Sequence, residues 1–197
     1  HSNLRRQRQM CIRDSGDAGM AMLVTHISAA GGAFMWMLLE RINHGKASAL
    51  GAVTGMVAGL GTITPASGFV GPGGGLIIGL SAGVVCYYAT GYIKRTLKID
   101  DSLDVFPVHG VGGILGTLMT GVFASNALGV FSGQEDIAIG AQVSIQAIGI
   151  LSAICYTSVV TYVILKVTDA VVGNRVDEED EMQGLDLVSH DERGYDL

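Results

Sequence analysis

Between Val105 and Ala124 the chain carries one titratable side chain, the imidazole of His109, set a few residues inside an apolar run. An ionisable group in such a run marks a functional site by default, because a bilayer offers a charge no partner. A charged imidazolium there is costly, so His109 must be neutral much of the time or face a protein-lined path. Neutral imidazole has one donor and one acceptor nitrogen. It can take a proton from a cation on one side and hydrogen-bond a neutral polar solute on the other. On helical spacing Val105, His109, Gly112, Gly113 and Gly116 share a face, so the ring looks over a strip almost without side chains. The bland alternative is a structural histidine that bridges helices. His26, beside Thr25 and Ser28, reads as a histidine bonded to a neighbouring helix.

The segment that presents His109 opens with Asp100, Asp101 and Asp104. Asp104 fits as an N-cap, and Pro107 is tolerated in the first turn because its missing N–H has no intrahelical partner there. The positive end of the helix dipole then lies near His109 and favours the neutral ring. A helix starting at Asp104 puts His109 only about 8 Å along its axis, at about 1.5 Å per residue. Residues 99–103 must then be recessed into the surrounding bundle.

The elements around this segment are apolar and long. The chain is 49% hydrophobic and 15% charged, with a mean hydropathy of +0.44, whereas about a quarter of the residues of a soluble domain carry charge. Charges gather in short clusters between stretches of bilayer-crossing length, about 20 residues. The reading is all-α: a polytopic transmembrane helix bundle of five spans, at residues 18–39, 48–65, 74–93, 104–124 and 137–167, giving a transmembrane bundle at 18–172. Residues 1–17, with Arg5, Arg6, Arg8 and Arg13, read as a leader unrelated to the rest of the chain, and residues 173–197 as an acidic tail. The net charge of −6 says little about partners, since the acids crowd into that tail.

Glycine recurs at every fourth position in two spans, as Gly51, Gly55, Gly59 and as Gly75, Gly79, Gly83. Such stripes let a second helix backbone approach closely. The glycines of residues 71–75 and 110–116 complete neither a dinucleotide fingerprint nor a phosphate loop, and no strand precedes them, so no nucleotide cofactor is expected. Cys11, Cys86 and Cys155 have no metal-ligand spacing, and no metal is expected. If the spans alternate, one side receives Arg41, Lys46, Lys94, Arg95, Lys98, Lys166 and Arg175, and the connections on the other side have no Lys or Arg. The positive-inside rule makes the first side cytoplasmic, with the C-terminus.

The run Asp101-Ser-Leu-Asp-Val-Phe-Pro-Val-His-Gly-Val-Gly-Gly113, with Thr64-Pro-Ala-Ser-Gly68, Gly71-Pro-Gly-Gly-Gly-Leu-Ile-Ile-Gly79 and the tail Gly184-Leu-Asp-Leu-Val-Ser-His190, resembles the C-terminal half of the ammonium transporter (Amt/MEP/Rh) family, its bacterial Amt branch in particular. The resemblance covers residues 18–197. It implies a cell-membrane protein of eleven transmembrane helices, built on an inverted repeat and assembled as a homotrimer with one pore per subunit, of which the five spans here are the last five. It makes His109 the second of two pore histidines, where ammonium gives up its proton and crosses as ammonia. Val105 is expected to line the pore, and Asp101 and Asp104 to be structural near it. The tail resembles the segment that binds PII-type nitrogen regulatory proteins. The first pore histidine and the aromatic gate belong to helices absent from this sequence, so these residues alone are not expected to transport.

Two functions are implied. One is passage of ammonium or ammonia across the lipid bilayer. The other is an ammonium sensor or regulatory scaffold that recruits a PII-type protein. An enzyme lacks support, since no second histidine, serine or carboxylate shares the His109 face, and nothing suggests nucleic-acid binding.

Overall fold

The computed structural model describes residues 16–124 and 138–192. Residues 1–15, which hold most of the expected leader 1–17, and residues 125–137 and 193–197 lie outside the described residues. Within them every regular element is helical: α1 (Gly16–His44), α2 (Ala49–Ile63), α3 (Pro72–Arg95), a π-helical turn (Phe106–Val111) continued by α4 (Gly112–Phe123), α5 (Ile139–Val172), and the short α6 (Glu178–Gln183) and α7 (Leu185–His190). Among the described residues four segments are long and apolar enough to cross a membrane: Ala18–His44, Pro72–Arg95, Phe106–Phe123 and Ile139–Val172. The stretch read as a second span is the 15-residue α2, about 22 Å long against a hydrocarbon core of about 30 Å. Pro65 has no N–H to continue the ladder, and the chain turns instead, with the Ala66 and Ser67 N–H groups both donating to the Ile63 carbonyl.

The chain divides into two units, residues 1–150 and 151–197. In the first, both glycine stripes pack on α1. A Cβ at Gly55 would meet Trp36 and the Gly32 carbonyl, and one at Gly83 would meet Met35 and the same carbonyl. Gly59 and Gly79 would each drive a Cβ into the carbonyl of Ser28. Ser28 is fully buried there, and its hydroxyl donates to the Gly59 carbonyl at 3.0 Å. The missing side chains thus set how closely α1 can sit between α2 and α3, the use of small residues expected where lipid supplies no hydrophobic drive between helices. One apolar cluster, Val24, Ile63, Ala66, Val70 and Ile78, lies at one end of this packing, and another holds Trp36, Ala58, Cys86 and Val108.

The polar connection after α1 does more than link. Gly45 takes φ +78°, and its N–H donates to the Arg41 carbonyl, ending the helix as glycine at this position commonly does. Glu40 then reaches forward to accept from the Ser48 N–H (2.7 Å) and hydroxyl (3.1 Å), while the Ser48 oxygen caps α2 by accepting from the Gly51 N–H. His44 and Asn43 both bond the Tyr87 hydroxyl of α3. The ends of α1 and α3 that carry Arg41, Lys94 and Arg95 therefore lie together, with the start of α2, around a cavity of about 700 Å³ whose walls include Asp104 but not His109.

In the second unit the C-terminal part of α5 ends at Gly173 (φ +78°), and Asn174 closes it, its side-chain amide donating to the Leu165 carbonyl and its N–H to Asp169. Asp177 precedes the acidic α6.

Candidate functional site

Asp101, Asp104, Val105 and His109 lie on one continuous segment, and the two aspartates differ in their contacts from what the sequence suggested. The carboxylate of Asp101, not that of Asp104, caps the helix: Oδ1 accepts from the Val105 N–H (2.9 Å) and Oδ2 from the Phe106 N–H (2.8 Å). Pro107 has no N–H, and the Val108 N–H donates to the Asp104 carbonyl (3.0 Å). Every donor of the first turn is thereby satisfied. Those two N–H groups hold the Asp101 carboxyl below its ordinary range, Phe106 contributing most.

Asp104 cannot serve as the cap because its backbone lies at φ +56°, in the left-handed region where Asp and Asn are the side chains best tolerated after glycine. Its side chain turns to α3 and meets Lys94, Nζ to Oδ1, at 2.8 Å. The contact is a charge pair, not a well-aligned hydrogen bond.

The first turn is also wider than an α-helical one. That shifts the phase, and the single face expected for five residues splits. Gly112 and Gly116 pack inward: a Cβ at Gly112 would meet the Thr62 hydroxyl and Cys86, and one at Gly116 would overlap the Thr62 carbonyl. Val105 (52% exposed), His109 and the space beside Gly113 remain open. Pro107 and Val108, both buried, anchor the turn from its other side. π-helical turns occur often at functional sites, and here the turn separates the packed face from the face that carries the imidazole.

Among the described residues the His109 side chain makes no hydrogen bond or ion pair. Gly61 of α2 stands beside it, where a Cβ would lie 3.9 Å from Nδ1. Both ring nitrogens are thus free to work as one donor and one acceptor. His26 differs: its Nδ1 is 2.9 Å from the Met22 carbonyl of its own helix, not of a neighbour. It is Ser28 that crosses to α2. Sequence reasoning missed Gly61, Lys94 and Glu40. Gly61 stands two residues off the regular stripe of α2, and only the fold brings Lys94 to Asp104. No cluster of metal-ligating side chains occurs among the described residues.

Apolar helices of membrane-spanning length, glycine-lined crossings and one unpartnered imidazole on an apolar helix define a polytopic helical membrane protein with a candidate path beside His109. A model of the Ammonium Transporter Family matches residues 7–195. The ammonium transporter of Aquifex aeolicus is 42% identical over 182 residues, covering 91% of this chain and 42% of that protein. The ammonium transporter of Mycobacterium tuberculosis is 40% identical over 190 residues, covering 93% and 40%. A solved structure titled Sensor Amt Protein superposes with a TM-score of 0.79 at 30% identity, covering 89% of this chain and 43% of that one. The chain belongs to the ammonium transporter family, and it spans less than half the length of these relatives.

Proposed function

We propose that these residues are the last five membrane helices of an eleven-helix ammonium transporter, with the short α2 counted as the second of them. Ammonium or ammonia passes beside His109, whose neutral ring accepts a proton from ammonium and hydrogen-bonds the ammonia left behind. Val105 lines the same path, and Asp101 and Asp104 hold the segment in place. The observation that carries this reading is the imidazole itself, exposed on the open face of an otherwise packed apolar helix and, among the described residues, with no partner to occupy either nitrogen. A structural bridge between helices would have its nitrogens engaged. The ends that bear Arg41, Lys94 and Arg95 face the cytoplasm by the positive-inside rule, and their gathering around one cavity supports a common side. The acidic tail is then cytoplasmic, open to a PII-type regulator, and the complete protein is a homotrimer in the cell membrane.

Liposomes holding the full-length protein are expected to take up ammonium and methylammonium rapidly, without nucleotide. Liposomes holding residues 18–197 alone are expected to show no uptake above lipid, because the face beside His109 has no second wall. Uptake by the fragment equal to that of the full-length protein would contradict this reading.

Likeness to the structure titled Sensor Amt Protein favours a second reading, in which the fold holds ammonium and the tail passes the signal to a soluble partner. Saturable ammonium binding without flux in the full-length protein would establish it over the first.

A further inference from the structure

The segment that carries the imidazole follows directly on residues 96–104, a stretch that is not helical. Two anchors hold it. One is internal, the Asp101 carboxylate on the Val105 and Phe106 N–H groups. The other ties the stretch to a different helix: Lys94, in the last turn of α3, pairs with Asp104 at 2.8 Å. Asp104 is the hinge between them. Its side chain belongs to the pair with α3, and its carbonyl accepts from the Val108 N–H in the turn that carries His109. It also keeps a left-handed backbone, a conformation that persists in a non-glycine residue only where its surroundings over-determine it.

We propose that Lys94 is a positioning residue for His109: by holding Asp104 to the end of α3, it fixes the wide turn at the depth and rotation that turn the imidazole to the open face. The proposal rests on the reading of His109 as proton acceptor and extends it to a residue on another helix. Only 18% of the Asp104 side chain is exposed, against 39% for Lys94, so the carboxylate depends on this cation for compensation more than a surface acid would.

The test uses the full-length protein in liposomes, with ammonium flux and ammonium-over-potassium discrimination as separate readouts. Asp104→Asn keeps a residue tolerant of the left-handed backbone and removes only the charge. Lys94→Met removes the partner, and Lys94→Arg retains the charge. Asp104→Asn and Lys94→Met are each expected to lower discrimination about fivefold, the scale of a partly exposed ion pair. The double variant is expected to be no worse than either single one, and Lys94→Arg to restore most of the loss. Wild-type discrimination in both single variants, or losses that add in the double variant, would overturn the proposal. So would flux that falls with discrimination unchanged, which would assign the pair to folding. If both fail to reach the membrane while Lys94→Arg does, the pair serves folding alone and the proposal also falls. His109→Ala separates the two levels. Discrimination lost in His109→Ala but kept in Asp104→Asn removes only the positioning role, whereas discrimination kept in both removes the reading of His109 as well.

Discussion

The role proposed for His109 rests on the contacts the side chain does not make. Among the described residues neither ring nitrogen has a partner, and its helix from Val105 onward offers no carboxylate. The acid that is nearby in sequence, Asp101, is spent on the backbone. Because its folded-state pKa lies below the unfolded value of about 3.9, its contribution to stability is fully present above that value and is lost as pH falls through the folded one. Asp101→Asn should therefore lower stability at neutral pH and flatten the loss of stability below about pH 4, as acid titration of detergent-solubilised protein can measure. Thr62 gives a contrasting case. Its hydroxyl is fully buried and has no hydrogen-bond partner among the described residues, so Thr62→Val should be neutral or stabilising by up to about 1 kcal/mol in thermal unfolding.

The helices were legible in the sequence to different depths, and the reasons are physical. The stripes at Gly51, Gly55, Gly59 and at Gly75, Gly79, Gly83 could be read because a four-residue interval places glycines on one helix face whatever packs there. That both stripes meet the same helix at Ser28 could not be read, since it depends on which elements become neighbours. The apolar phase around His109 misled. It assumed α-helical spacing from Val105 to Gly116, and a wider turn at Phe106–Val111 moved Gly112 and Gly116 to the packed side. Asp104 resembled a cap by position, yet its left-handed backbone excludes that role and Asp101 takes it. Close packing at the stripes has a direct test. Gly79→Ala should cost about 1–3 kcal/mol of stability, because its Cβ enters the Ser28 backbone. Gly91→Ala, on the same helix with open space around it, should instead stabilise by about 0.5–1 kcal/mol.

On the scale of the whole molecule, the helices leave much apolar surface uncovered. Val105, Phe106, Leu76 and Ile77 are all substantially exposed, and α5 buries none of its residues. At 34 residues α5 is about 51 Å long, more than a hydrocarbon core of about 30 Å requires. Such surfaces suit a chain that meets further helices and lipid. They also place the central claim where it can be tested, since on the proposed reading further helices close a path beside the imidazole. The decisive measurement is ammonium-over-potassium discrimination by the full-length protein in liposomes, wild type against His109→Ala. Loss of discrimination, with potassium admitted where it was excluded, is the result expected of a pore in which only an ion able to give up its proton can cross. Unchanged flux and unchanged discrimination in His109→Ala would contradict it.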